Sequence, residues 1–172
     1  SAPGDLLDDP DIDLVVIATP NDTHFPLAKA ALEAGKHVVV DKPFTVTLSQ
    51  ARELESLAKH CGRILSVFHN RRWDSDFLPV SALINEGQLG EVCYFESHFD
   101  RFRPQVRQRW REQAGPGSGI WYDLAPHLLD QVVVLFGLPV SITVDLAQLR
   151  PGAQSTDYFH AVLAYPQRRV VL

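Results

Sequence analysis

The chain has 172 residues, of which 45% are apolar and 22% charged, a composition typical of a globular protein with one ordinary domain or two small ones. Its apolar runs are too short to span a bilayer and no basic segment with an apolar stretch opens it, so we expect neither a membrane span nor a secretory signal. The net charge of −5 argues against a general nucleic-acid binder, which needs a basic face. Two isolated cysteines, Cys61 and Cys93, predict neither a disulfide framework nor a metal knuckle, and favour the reducing cytoplasm.

The first part of the chain alternates between short apolar runs and amphipathic segments. The run at 14–18 is continuous and β-branched, as in a strand that is buried on both faces of a parallel sheet. The predicted elements are strands at 14–18, 38–40 and 64–68 and helices at 22–34 and 47–60. This order is a βαβαβ unit, whose crossovers make the strands parallel.

The pattern changes after residue 70. We predict a helix at 75–86, an antiparallel strand at 92–99, a long loop at 101–119, a helix at 120–136 and strands at 142–149, 158–165 and 169–172. The predicted fold class is α/β followed by α+β: half of a nucleotide-binding type of fold joined to an open mixed or antiparallel sheet with a packed helix. The corresponding domains are 1–71 and 72–172.

Polar clusters follow each of the three strands of the first domain. They are Thr19-Pro20-Asn21, Asp41-Lys42-Pro43 and His69-Asn70-Arg71-Arg72. Because parallel strands end on the same side of a sheet, the clusters predict a binding crevice along one edge, where ligands of such sheets bind. Lys42 stands between a buried strand and a proline. It is as compatible with a surface loop as with a functional lysine on constrained backbone.

Asp123 and His127 stand four residues apart on a predicted helix and therefore share one face. The carboxylate could fix the tautomer of the imidazole, or both groups could approach one substrate atom. The pair could equally brace the helix. It predicts no metal site, because no further ligand has a suitable spacing. A glycine cluster at 115–119 precedes the pair and allows close approach of the backbone to a ligand.

Five arginines fall within eleven residues of the long loop. They are Arg101, Arg103, Arg107, Arg109 and Arg111. A solvated loop and the lining of an anionic or polyhydroxyl substrate site are the two interpretations. Trp110 could stack on a sugar face or anchor the loop. We interpret the remaining histidines, His37, His60, His98 and His160, as structural.

Several common catalytic motifs are absent from the sequence. It has no Gly-x-Gly-x-x-Gly turn to hold a phosphate, no Walker loop, no Gly-x-Ser-x-Gly elbow and no His-Glu-x-x-His. Four ordered motifs nevertheless resemble the family of glucose–fructose oxidoreductase, inositol dehydrogenase and MocA, Gfo/Idh/MocA. The motifs are DLVVIATPN at 13–21 with His24, GKHV at 35–38 leading to DKP at 41–43, FHNRR at 68–72 and GIWYDLAPH at 119–127.

The resemblance implies an oxidoreductase with a Rossmann-type domain, which uses NAD or NADP and acts on a small molecule such as a sugar, a polyol or a related carbonyl compound. It implies catalytic roles for Lys42, Asp123 and His127, which would also contact the substrate. The implied cofactor contacts are Thr19, Pro20, Asn21, His24, Asp41, Lys42 and Pro43. We also expect substrate contacts from Arg72 and Tyr122, which lie in the motifs, and from Trp110 of the long loop. The family usually has Glu where this chain has Asp41, whose shorter side chain reaches less far toward a ribose.

The resemblance also implies that the chain is the central part of a longer enzyme, because the glycine-rich turn and the close of the last sheet are not encoded in it. We therefore expect weak cofactor binding by this chain alone and self-association through an unpaired strand edge or the open sheet. Two alternatives remain at this point. One is a hydrolase or isomerase of the same family that oxidises its substrate only transiently. The other is a non-catalytic binding or assembly module.

Overall fold

The structure is a computed structural model that describes residues 3–172. The chain forms two compact units, the first ending at Phe68 and the second comprising His69–Leu172. No helix within residues 3–172 is long and apolar enough to cross a membrane.

The first unit is built on a parallel three-stranded sheet. Its elements are α1 Pro3–Leu7, β1 Leu14–Ile17, α2 His24–Glu33, β2 His37–Asp41, α3 Leu48–Cys61 and β3 Leu65–Phe68. The strand order is β1-β2-β3, and in this register Val15 lies opposite Val38, which lies opposite Leu65. The βαβαβ prediction is therefore confirmed. Helix α3 begins where Thr47 accepts a hydrogen bond from the Gln50 N–H and ends at Gly62 with φ 61°, as the sequence signals predict.

The core of the first unit lies on one face of its sheet. Ile17, Val38 and Val40 are buried there together with Leu32 of α2 and Leu54 of α3. On the opposite face Leu14, Val16 and Phe68 are exposed, and Val16 retains 64% of its accessible surface. The prediction that the first strand is buried on both faces is thus wrong. Because β1, β2 and β3 follow each other in one direction, right-handed crossovers bring both helices to the same side.

The second unit combines a long helix with a mixed four-stranded sheet. Its elements are α4 Phe77–Asn85, β4 Tyr94–Glu96, α5 Gly119–Phe136, β5 Ser141–Ala147, β6 Tyr158–Ala164 and β7 Arg169–Val171, with 3-10 turns at Asn70–Trp73 and Trp110–Glu112. The strand order is β4-β7-β6-β5. Leu128 and Val132 of α5 pack into one buried cluster with Leu163 and Val170 of the sheet. A parallel sheet followed by a mixed sheet with helices confirms the predicted fold class.

Strand β4 corrects one prediction. The sequence pattern predicts an antiparallel strand over 92–99, whereas β4 spans only Tyr94–Glu96 and runs parallel to β7, with Tyr94 opposite Arg169. Its partner lies far along the chain, after α5 and the antiparallel pair of β5 and β6. Apolar alternation reports that one face of a strand is covered, but it carries no information on which distant strand provides the hydrogen bonds.

Candidate functional site

The loop after β1 is held by its own hydroxyl groups. The Thr23 hydroxyl donates to the carbonyl oxygen of Pro20 at 2.6 Å, and its oxygen lies 2.6 Å from that of the Thr19 hydroxyl. Since the single proton of Thr23 goes to Pro20, Thr19 is the donor between the two hydroxyl groups. Asn21 is buried and opens the short 3-10 turn that leads into α2. This segment contains three of the predicted cofactor contacts.

His24 joins the loop after β1 to the loop after β2. Its ring is 1% exposed, with Nδ1 2.8 Å from the carbonyl oxygen of Pro43 and Nε2 3.0 Å from that of Thr19. The side chain therefore fixes the distance between the two loops. Because both ring nitrogens are engaged with backbone, His24 acts on any ligand at this edge by positioning the loops.

The predicted active-site lysine, Lys42, follows β2 in the first unit and is half-buried. Its backbone N–H donates to Oδ1 of Asp41 at 2.8 Å, so one carboxylate oxygen of Asp41 is turned back onto the loop. The peptide bond from Lys42 to the buried Pro43 is cis. The ends of β1 and β2 thus bring Thr19, Asn21 and Lys42 to the carboxyl edge of the same parallel sheet, as predicted.

The third polar cluster follows β3 along the chain and packs within the second unit. Arg72 donates from Nε and Nη2 to the two carboxylate oxygens of Asp130 at 2.7 and 2.6 Å. Gln131 donates to the carbonyl oxygen of Arg71 at 2.9 Å, and the guanidinium of Arg71 lies 4.9 Å from the ring centre of Phe99. The cluster is therefore fastened to α5. A bidentate pair of this kind occupies the face of Arg72 with which it would grip a substrate.

Asp123 and His127 lie one turn apart on α5, as predicted. The imidazole of His127 is buried, whereas Asp123 is half-exposed and its Oδ1 lies 3.5 Å from Nε of Arg111. Tyr122, a predicted substrate contact, is half-buried beside Asp123 in the first turns of the helix. Asp123 and His127 thus present a carboxylate and an imidazole on one face of α5, which is suitable for a reaction that moves a proton, whereas Tyr122 lies on the adjacent side of the helix.

The start of α5 is fixed by Thr156. The Ile120 N–H donates to the Thr156 carbonyl oxygen at 2.7 Å, and Gly119 has φ +86°. A Cβ on Gly119 would lie 2.3 Å from the Thr156 hydroxyl oxygen and 3.0 Å from the Thr156 backbone nitrogen. The sequence predicts close approach of this glycine cluster to a ligand. The structure shows close approach of Gly119 to another backbone segment.

The arginine loop, residues 101–112, is held by a buried network that the sequence analysis missed. The Glu112 carboxylate accepts hydrogen bonds from the Arg107 N–H at 2.9 Å and from Nε of Arg109 at 2.7 Å, and lies 3.3 Å from Nη1 of Arg150. Nε of Arg150 also donates to Asp157 at 2.8 Å. Sequence spacing gave no signal for Arg150, because its partners come from segments far away along the chain.

Two carboxylates of this network are stabilised in their ionised form. Burial raises the pKa of Glu112, but the hydrogen bonds from the Arg107 N–H and Arg109 outweigh burial and hold this pKa below its usual value. Burial likewise raises the pKa of Asp157, while hydrogen bonds from the Leu149 N–H and from Arg150 lower it further than burial raises it. Both groups are therefore fixed negative charges near neutral pH.

A cavity of about 540 Å³ opens beside this network within the second unit. Side chains from the arginine loop, α5 and the sheet line it, and Asp123 is among them. Two histidines that the sequence analysis interprets as structural, His98 and His160, also line it. Trp110 is not part of the lining and stacks on the guanidinium of Arg111, whose Cζ lies 4.3 Å from the ring centre. Its predicted contact with a substrate stays a prediction.

Comparison with known proteins assigns the two units to one family. The profile of the oxidoreductase family's NAD-binding Rossmann fold matches residues 1–69, and that of its C-terminal alpha/beta domain matches residues 81–172. The uncharacterised oxidoreductase YdgJ of Escherichia coli is 83% identical over 172 residues, which cover 100% of this chain and 50% of YdgJ. The scyllo-inositol 2-dehydrogenase (NADP(+)) IolW of Bacillus subtilis is 41% identical over 98% of this chain and 47% of IolW.

The solved structures agree with this assignment. The Yersinia pestis protein YPO2259 has a TM-score of 0.93 at 70% identity, and the match covers 100% of this chain and 48% of that one. The chain thus spans about half the length of the relatives that it matches. From the two family profiles, which together cover nearly the whole sequence, and from the parallel sheet and the helix α5 that carry its motifs, the chain belongs to the Gfo/Idh/MocA family of oxidoreductases.

Proposed function

We propose that the protein containing this chain transfers a hydride between NAD or NADP and a sugar, a polyol or a related alcohol or carbonyl compound. Membership of the oxidoreductase family supports the reaction type. The similarity to IolW, which is named as acting on scyllo-inositol with NADP(+), supports the substrate class. The observation that carries the proposal is the grouping of Asp123, Tyr122 and His127 on one helix of a chain that also has the Rossmann sheet.

The cofactor would be held at the carboxyl edge of the parallel sheet, with Thr19, Pro20, Asn21, Asp41, Lys42 and Pro43 as its contacts. The two loops are prearranged for this task, because His24 engages the carbonyls of Thr19 and Pro43 and is itself buried. The hydroxyl of Thr19, the amide of Asn21 and the carboxylate of Asp41 are groups that can pair with the ribose hydroxyls and the carboxamide of the nicotinamide half of a dinucleotide. When bound, the nicotinamide ring supplies or accepts the hydride.

Side chains of this chain would transfer the proton of the substrate hydroxyl. In the oxidation direction, an imidazole nitrogen of His127 takes the proton of the substrate hydroxyl. For Lys42 of the first unit, the role that the family resemblance implies is a hydrogen bond from Nζ to the reacting oxygen. Asp123 orients the histidine and the substrate from the neighbouring turn of α5. As the carbon loses its hydride and a C=O bond forms, the proton remains on His127. The reduction direction returns it to the oxygen.

The proposal is tested on the intact protein with the variants Lys42→Ala and His127→Ala. We expect each to lower turnover on the order of a hundredfold or more, which is the usual loss when a general acid or base is removed. His60→Ala is the matched control, because His60 is exposed on α3. Unchanged turnover in either site variant would overturn the roles. A nicotinamide absorbance that stays constant during turnover would instead identify transient oxidation and a hydrolase or isomerase.

We further propose a cytoplasmic homo-oligomer that pairs through the open sheet of the second unit. Both cysteines are free, and Cys93 is exposed, which suits a reducing compartment. Strands β4 and β5 are the two edges of the four-stranded sheet, and each has one neighbouring strand. Open edges and faces of this kind are the surfaces that proteins pair with a second copy.

A further inference from the structure

The cavity of the second unit carries more arginines than acidic groups. Its charged lining residues are Arg101, Arg103, Arg109, Arg111 and Arg150 with Asp100, Glu112, Asp123 and Asp157. Two of these acids, Glu112 and Asp157, are buried and are engaged by Arg109 and Arg150. The charged lining residues that are still available to a ligand are therefore the other arginines and the other two acids.

Of the remaining arginines, Arg111 lies 3.5 Å from Asp123 and stacks on Trp110. Neither Arg101 nor Arg103 takes part in any ion pair among the residues that the structure describes. Asp100 and the attraction of Glu112, which Arg109 and Arg150 already engage, are what the acidic lining residues offer to offset them. The cavity lining thus includes two arginines, Arg101 and Arg103, that have few carboxylates beside them.

Arg103 is also held in place by the network. Nη1 of Arg150 donates to the carbonyl oxygens of Arg103 at 3.1 Å and of Gln105 at 3.3 Å, so the backbone of this part of the loop is fixed. Partial loss of hydration and repulsion from Arg101, Arg109 and Arg107 hold the pKa of Arg103 below its usual value. An anion beside Arg103 would relieve this repulsion.

We propose that the cavity binds an oxyanion through Arg101 and Arg103, so that the substrate is a sugar or polyol bearing a carboxylate or phosphate. This inference rests on the proposed oxidoreductase function, since it names the substrate class for the cavity that Asp123 lines. The planar fork of a guanidinium pairs with carboxylate and phosphate oxygens in a bidentate manner, and two such forks orient a ligand. The cavity volume of about 540 Å³ lies within the range of small-molecule sites.

Isothermal titration of the full chain tests the proposal with D-gluconate, D-glucose 6-phosphate and D-glucose as probes. We expect saturable binding of at least one anionic probe, at least about tenfold tighter than that of D-glucose, because charge-assisted hydrogen bonds are the stronger ones. Binding of gluconate alone would identify a carboxylate, and binding of the phosphate alone a phosphorylated ligand. Equal or tighter binding of neutral D-glucose, or no binding of either anion, would overturn the proposal.

The variant Arg103→Gln separates this site from general attraction to a basic surface. We expect it to weaken binding of the anionic probe about tenfold to a hundredfold, and Arg101→Gln to act in the same direction. Arg107→Gln is the matched control, because Arg107 lies on the same loop, is exposed and does not line the cavity. Fluorescence of the three tryptophans, all in the second unit, verifies that each variant is folded. Equal losses in Arg107→Gln and Arg103→Gln would overturn the assignment.

The titration tests anion binding separately from the proposed reaction, because it needs neither turnover nor nicotinamide. Anion binding that depends on Arg103, in an intact protein without nicotinamide-dependent turnover, would retain the site and overturn the reaction. Turnover of neutral polyols that Arg103→Gln leaves unchanged would retain the reaction and overturn the anionic substrate.

Discussion

At Gly119 a hydrogen atom occupies the place where any other residue has a Cβ. The Thr156 hydroxyl and backbone fill the space beyond it, and the Ile120 N–H bonds to the Thr156 carbonyl oxygen. This contact fixes the first turn of α5. It therefore also fixes the position of the turns that carry Asp123 and His127. The residue therefore connects backbone geometry with the proposed chemistry.

We predict that Gly119→Ala lowers the free energy of unfolding of the second unit by about 2 kcal/mol or more. The added Cβ meets Thr156 at less than van der Waals distance, and a non-glycine residue at φ +86° is strained. Urea denaturation followed by tryptophan fluorescence measures the change, since all three tryptophans lie in this unit. Gly115→Ala is the control, because no atom lies within 4 Å of a Cβ there. Equal midpoints for the two variants would contradict the argument.

Single residues were predictable where the pattern is local. The spacing of Asp123 and His127 places them on one helix face, and both are found there. Partners far apart along the chain were not predictable: the bidentate hold of Asp130 on Arg72 and the role of Arg150 depend on how separate segments fold together. The catalytic and binding roles of the site residues stay predictions.

At the level of elements, the position of the arginine loop is fixed by hydrogen bonds from residues outside the loop. Arg150 connects the carbonyl oxygens of the loop with Asp157, and Ser155 donates from its hydroxyl to the Arg111 carbonyl oxygen at 3.1 Å. The segment before β6 thus acts as a support for the loop. Any ligand that needs Arg103 in a fixed position needs this support as well.

We predict that the second unit loses stability in acid through Glu112 and Asp157. Their pKa values are lower in the folded unit than in the unfolded chain, so their contribution is complete above the unfolded value of about 4 and is lost as the pH falls through the lower folded values. Urea midpoints at pH 7, 4 and 3 measure this loss. The double variant Glu112→Gln, Asp157→Asn should be less stable at pH 7 and change less between pH 5 and pH 3.

Glu91→Gln is the matched control for the acid effect, because Glu91 is exposed and forms no ion pair within the described part of the chain. Its stability should follow the pH dependence of the parent chain. A parent chain whose midpoint is the same at pH 3 and pH 7 would show that the two carboxylates are not held as the network requires.

Most elements could be predicted because their signals lie within the element itself. The amphipathic periods and glycine stops of α3 and α5 are local, and both helices lie within a few residues of the predicted bounds. Burial on the second face of β1 and the parallel pairing of β4 could not be predicted. Both the burial of a strand face and the choice of a pairing strand depend on which distant segments pack against the strand.

At the level of the whole molecule, the first unit presents an apolar sheet face. Leu14, Val16 and Phe68 retain 47%, 64% and 51% of their accessible surface on the side opposite the helices, and β1 is one of the two edge strands. Apolar patches beside an unpaired strand edge favour association.

We predict that this chain self-associates and that Val16→Lys shifts it toward the monomer. A charge at the centre of the apolar face opposes its burial against a second copy. Light scattering as a function of concentration measures the change in mass. Val80→Lys is the control, since Val80 is 37% exposed on α4 of the second unit. A monomeric parent chain would contradict the prediction.

The contact of His24 with two carbonyl oxygens has a consequence for how the loops communicate. Carbonyl oxygens only accept, and a neutral imidazole carries one proton on its two nitrogens, so the neutral ring can donate to Thr19 or to Pro43 but not to both. The two loops compete for that proton. If one loop moves away, the tautomer with its proton on the nitrogen that faces the other loop is favoured. The hydrogen bonds of the buried ring thus couple the segments that follow β1 and β2.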